Sequence, residues 1–278
     1  MRLAWGNDPD DLIAWATSAD ARKHTDTLEA ERHYLDVDDL QRDSVDVWGN
    51  SWSDHVNVLA DSTLALSPRR YGVLPWQLEW SYLRLVQSLT PRDSMPISRE
   101  RALRAAADLG HYLADAHVPL HTSGNYNGQR TGQRGIHALW ETQAVEWMLN
   151  HELRTCSCSP GIAGPPYDPV WTPWEVLHES HMLVPDVFSA HLEWDSLCGM
   201  RGYGFQRRGR TLQLTPTPEA LQLWDSLTSQ TTWPRFCLAS QRIASAWTAA
   251  WVEAGRPELN EPEPTSFWKR VTSYLPWP

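Results

Sequence analysis

Two histidine–carboxylate pairs constrain this chain more than any other feature. In the stretch ADLGHYLADAHVPLHTSGNYNGQRTGQRGIHALWE, Ala107 to Glu141, His111 precedes Asp115 by four residues and His137 precedes Glu141 by the same interval. Residues four apart share one face of an α-helix, with Cβ atoms about 5–6 Å apart. Each pair can therefore act as a unit only if both segments are helical. Pro119 separates them. Its ring lacks an N–H and clashes with the preceding turn, so it should end the first helix and carry His121 out of that helix's axis. A single His–Asp pair on a helix is usually a surface hydrogen bond. Two such pairs with a third imidazole between them point to a metal site. Imidazole nitrogen and carboxylate oxygen bind zinc at about 2.0–2.2 Å, and this mixture suits zinc better than magnesium or calcium. His117, six residues after His111, falls off the ligand face and reads as structural.

The surrounding pattern is helical. Leu103, Ala106, Ala107 and Leu113 recur near helical spacing within 99–118, and segments 76–90 and 136–151 behave likewise. The stretch Phe236–Gly255 is apolar on most turns and stops at Gly255 with Pro257 behind it, a helix stop. Long alternating strand patterns are absent. Loops are expected at 91–97, 122–135 and 156–175, and an irregular Pro-rich tail at 256–278. These readings predict an all-α protein, a single helical domain over 1–278. The chain has 278 residues, enough for a large core. Its net charge of −10 argues against a bulk electrostatic grip on duplex nucleic acid. No apolar run approaches a membrane span, and MRLAWGNDPDDL does not read as a signal peptide. Location is therefore open, secreted or periplasmic if the true start lies upstream. A monomer is expected. Cys156, Cys158, Cys198 and Cys237 read as plain thiols, with disulfides or metal ligation as alternatives.

The order His111, Asp115, His121, His137, Glu141 resembles the superfamily of zinc-dependent phospholipases C and single-strand-specific nucleases of fungi and plants. GHYLADAHVPLH is similar to that family's central helix, while GVLPW, NYNGQRTGQRGIHALWE and AWVEAGRPEL look like its bacterial members. The resemblance spans roughly residues 16–260. It implies the family's all-α fold with long loops, and an upstream carboxylate and histidine, matched here by Asp20 and His33 of SADARKHTDTLEAERHYLD. By carry-over Asp20, His33, His111 and Asp115 hold one zinc, and His121, His137 and Glu141 a second. Asp115 bridges to a third ion in members that use an N-terminal Trp and a nearby His. Here Trp5 has no His after it before His24, so two ions are expected and the family's first helix reads as missing.

The implied activity is phosphodiester hydrolysis by a metal-activated water, with Asp20 and Asp115 as the catalytic carboxylates. The implied substrate is single-stranded nucleic acid or a phospholipid head group. Asn125 and Gln129, with Asn127 between them, are candidates for substrate contact. Arg201–Arg210, with Tyr203 and Phe205 among its arginines, reads as a solvated loop able to meet phosphate. A zinc-binding protein of the same fold with little activity is the alternative.

Overall fold

The computed structural model describes residues 10–43, 71–91, 97–151, 166–208 and 210–259. Trp5, Cys156, Cys158 and most of the expected C-terminal tail lie outside them. The elements run in the order α1 (Asp10–Ala16), α2 (Ser18–Arg22), a 3-10 turn (Ala30–His33), α3 (Val37–Arg42), α4 (Leu74–Leu89), α5 (Arg99–Ala116) and a second 3-10 turn (Pro119–Thr122). They continue with α6 (Ile136–Ala138), a π turn (Leu139–Gln143), α7 (Ala144–Asn150), α8 (Trp171–Met182), α9 (Val184–Cys198) and a third 3-10 turn (Gly199–Gly202). A hairpin of β1 (Tyr203–Arg208) and β2 (Thr211–Pro216), then α10 (Pro218–Thr228) and α11 (Thr232–Glu253), complete the order. The fold is mostly helical, with one two-stranded antiparallel sheet.

Three expectations need correction. The stretch read as a loop at 201–210 holds the first strand and part of the turn of a small hairpin, in a fold that is mostly helical as expected. Its short strands carry Gly and Arg among the apolar residues, which blurs the alternation. The loop expected over 156–175 gives way to α8 at Trp171, because Pro173 sits in the first turn, where a missing N–H costs nothing. For the same reason α4 begins at Leu74, with Pro75 inside its first turn. Cys198 is a free thiol, and Cys237 is disulfide-bonded.

Helix α5 organises the protein. Ser98 caps it by accepting the Arg101 N–H at 3.3 Å, and alanine-rich turns let neighbours approach closely. At Gly110 a Cβ would stand 3.1 Å from the Trp247 ring of α11. The Trp247 indole N–H donates to the Ala106 carbonyl at 2.8 Å. Two apolar cores result. One joins α4, α5, α8 and α11 around Trp76, Tyr82, Leu85, Leu109 and Leu113. The other gathers Val118, Leu120, Ile136, Trp140, Trp194 and Trp224. The C-terminal end of α5 and the turn that follows it lie where the two cores meet. No described helix is long and apolar enough to cross a membrane.

Candidate metal centre

His111 and Asp115 occupy successive turns at the end of α5, and both face the 3-10 turn that carries His33. His111 Nδ1 lies 2.9 Å from the Ala16 carbonyl, which can only accept. The proton is therefore on Nδ1, and Nε2 presents its lone pair. That Nε2 lies 3.2 Å from His33 Nδ1, 3.4 Å from Asp115 Oδ2 and 3.8 Å from Asp20 Oδ1. His33 Nδ1 is 2.8 Å from Asp115 Oδ2 and 3.9 Å from Asp20 Oδ1.

Across the seam, His121 Nε2 lies 3.0 Å from His137 Nε2 and 3.3 Å from Glu141 Oε2, and the His137–Glu141 distance is 2.9 Å. Asp20, His33 and His111, and separately His121, His137 and Glu141, are thus two groups that could hold a metal ion. A tetrahedral ion with ligands at 2.0–2.1 Å needs ligand–ligand edges of about 3.3–3.4 Å. The observed edges scatter on both sides of that value.

Asp115 connects the groups. Its Oδ2 faces His33 and His111, while its Oδ1 lies 3.5 Å from His121 Nδ1, the ring nitrogen turned away from His137 and Glu141. One carboxylate so belongs to the first group and backs a histidine of the second. Two buried ring nitrogens, His33 Nε2 and His121 Nδ1, lack a hydrogen bond and stand 3.5 Å from Glu29 Oε1 and Asp115 Oδ1 respectively. A carboxylate behind each imidazole is the arrangement that orients metal-bound histidines. The two groups, with Asp115 between them, could therefore hold metal ions.

Local structure explains the convergence. The Leu35 N–H donates to the His121 carbonyl at 2.9 Å, tying the His33 segment to the second 3-10 turn. Loop 122–135 is pinned from below. Ser123 Oγ and the Gly124 N–H donate to Asp38, and Arg130 makes a two-bond pair with Asp39 at 2.6 and 2.7 Å. Asn125 accepts from the Arg130 N–H and donates to Thr131, and Gln129 accepts from the Asn127 N–H and donates to the Gly124 carbonyl. Both candidate substrate contacts thus spend their polar atoms on the loop itself. Glu141 sits in the π turn, a geometry found often at functional sites.

Electrostatics follow the packing. Burial works to raise the Glu141 carboxyl, yet the His121 and His137 contacts hold it far below the usual range. Burial opposes the charge on His121, but Glu141 and Asp115 raise it overall. Asp20, half-exposed, is also held low: burial pushes up, while Lys23 at 2.7 Å, with His111 and His33 nearby, pulls down more strongly. Asp20 is therefore ionised at neutral pH.

Sequence spacing missed the support around these residues. Glu29 is fully buried and accepts from Arg22, Arg32 and Tyr112. It lies four before His33, the same interval as the other pairs, but in a segment that reads as a turn. His117 is buried, donates from Nδ1 to the Leu113 carbonyl at 2.7 Å and meets Arg242 at 3.4 Å, away from the ligand atoms. Burial and the nearby Arg235 push its pKa down to about 3. Arg235, nearly buried, donates to the carbonyls of His117 and Val176, to Ser180 Oγ and to Glu179. Ser180 in turn donates to the Ala116 carbonyl at 2.5 Å. The orphaned carbonyls at the end of α5 are so satisfied by α8 and α11. A pocket of about 240 Å³ opens beside the cluster, lined by His111, Asp115, Glu141, Trp140, Phe236 and Arg235 among others.

Fold and site together define a mostly helical protein with two adjoining histidine–carboxylate groups competent to hold metal. Compared with protein-family models, curated proteins and solved structures, the chain matches none.

Proposed function

We propose that the protein is a zinc-dependent hydrolase of phosphodiester bonds, of the phospholipase C and single-strand nuclease type. The observation that carries this reading is the meeting of seven residues, Asp20, His33, His111, Asp115, His121, His137 and Glu141, from distant segments in two groups shared by Asp115. Zinc is the proposed ion because every candidate ligand atom is imidazole nitrogen or carboxylate oxygen. Bound zinc supplies Lewis acidity toward phosphate oxygens and water, the part of phosphodiester hydrolysis that no neutral side chain provides.

The chain's own residues then have distinct tasks. Asp20, ionised and with its carboxylate half-exposed, is the group at the mouth of the cluster able to orient a water by accepting its hydrogen bond. Asp115 keeps His33, His111 and His121 in register. Tyr126, half-exposed and edge-on to His137 at 5.7 Å, offers substrate an aromatic face. Trp140 and Phe236 give the pocket an apolar wall beside Asp115 and Glu141.

The test is zinc titration followed by assays against single-stranded DNA, RNA and phosphatidylcholine. About two zinc ions per chain, a raised melting temperature, and hydrolysis of one of these substrates are expected. Protein that takes up no zinc refutes the metal reading. Protein that binds two ions and cleaves none of the substrates refutes the hydrolase and leaves a zinc-binding protein.

A further inference from the structure

The hairpin exposes apolar side chains that cover nothing among the described residues. Its base is rooted in the second core, where Tyr203 meets Trp194 edge-on at 5.5 Å and the Gly202 carbonyl accepts the Thr217 N–H at 2.8 Å. Beyond that base the two faces of the ladder differ sharply. Side chains alternate along a strand, and the register pairs Phe205 with Leu214 and Arg207 with Leu212. One face therefore runs Tyr203, Phe205, Arg207 on β1 and Pro216, Leu214, Leu212 on β2. The other carries Gln206, Gln213 and Thr215, which line a cleft shared with Thr142, Glu146 and Trp147. Beyond Tyr203 and Pro216 both faces of the ladder are open: Gln206 and Gln213 are exposed, and so are the apolar side chains opposite them. Phe205 is 72% exposed, Leu212 62% and Leu214 46%, and Met200, just before the hairpin, is 75% exposed.

Charge gives the partner its sign. Residues 199–216 contain Arg201, Arg207, Arg208 and Arg210 and no acidic residue, in a chain whose net charge is −10. Arg201, Arg207 and Arg210 are exposed, and none forms an ion pair among the described residues. An exposed apolar face with unpaired arginines on the same short hairpin matches an anionic, partly apolar surface. A second copy of this chain fits worse, because a two-fold dimer would set arginine against arginine. Single-stranded nucleic acid also fits worse. Bases stack on aromatic rings, and only Phe205 among the four exposed apolar residues is aromatic.

We propose that this hairpin docks the protein onto anionic lipid bilayers, with Phe205, Leu212 and Leu214 entering the interface and the arginines meeting lipid phosphates. The docking does not depend on the metal groups.

The experiment is co-sedimentation of the full chain, with zinc and with chelator, against vesicles of phosphatidylcholine alone and of phosphatidylcholine with about 30% phosphatidylserine at physiological salt. Binding to the anionic vesicles, at least ~10-fold stronger than to the neutral ones and unchanged by chelator, is expected from about 1 kcal/mol per basic residue near such a surface. Each arginine accounts for about fivefold by the same figure, so R207Q/R210Q should lose roughly 25-fold. F205S/L212S/L214S should lose at least ~10-fold. Both variants should keep the wild-type melting temperature, since these side chains bury little. Absent vesicle binding, binding that both variants retain, preferential capture of a single-stranded oligonucleotide, or a dimer abolished by F205S/L212S/L214S would each overturn the proposal.

Discussion

Replacing Arg235 by Met keeps the apolar stem and removes the guanidinium that closes the end of α5. Three acceptors lose a donor: the His117 carbonyl at 3.2 Å, the Val176 carbonyl at 3.2 Å and Ser180 Oγ at 2.5 Å. Glu179 keeps Arg242, at 2.7 and 2.8 Å, so no carboxylate is stranded. The Val176 carbonyl keeps its donor within α8 and Ser180 Oγ its bond to Ala116, so the His117 carbonyl is the acceptor left unpaired, at about 1–3 kcal/mol. With the lost bonds to Ser180 and Glu179 added, a total of about 2–4 kcal/mol is expected. That is a large part of the 5–15 kcal/mol typical of a folded protein. Urea denaturation of metal-free protein measures it directly, without a contribution from ion binding. The same turn sets Asp115 against His121, so zinc affinity, measured by competition with a chelating dye, should fall by about 10-fold. A loss below ~1 kcal/mol with an unchanged zinc titration would show that the contacts of Arg235 neither close the helix nor set the site.

Three further outcomes follow from the site. Asp115→Asn should weaken zinc binding at both groups by at least ~10-fold, because its two oxygens serve different groups, whereas His117→Asn should keep zinc near the wild-type level; zinc content of the two variants compared side by side decides it, and the opposite ranking would refute the ligand list. His117 has a folded pKa of about 3 against about 6.5 unfolded, so the unfolded chain takes up the proton first as pH falls. The stability His117 preserves is therefore complete above about pH 6.5 and lost progressively toward pH 3. Melting curves of metal-free wild type and His117→Asn should converge over that interval, and curves that stay parallel would contradict the assignment. Glu29→Gln keeps size but removes the charge behind His33 Nε2, so zinc affinity should fall by about 10-fold at the first group, read by competition with a chelating dye, while Glu29→Asp restores part of it; equal affinity in all three proteins would leave Glu29 a purely structural acid.

Much of this protein is decided by local sequence. Four-residue intervals on two helical segments placed His111 with Asp115 and His137 with Glu141, because helix geometry converts spacing into direction without help from the rest of the chain. Pro119 ended α5 where its ring demanded, and the mostly helical character followed from apolar recurrence near 3.6 residues. The joining of those pairs is a different matter. His33 meets Asp115 across 82 residues of chain, and Arg235 meets the His117 carbonyl across 118. No spacing rule reaches that far, since such contacts depend on how α5 packs against α8, α11 and the 3-10 turns. Glu29 escaped notice for a smaller reason: its four-residue interval to His33 falls on a 3-10 turn that sequence patterns do not distinguish from a loop. The hairpin escaped because its strands are six residues each and Gly204 and the arginines of β1 blur the apolar alternation. Most members of the two candidate metal groups were thus legible in the chain, while the position of Asp115 between the groups arises only where the two cores meet.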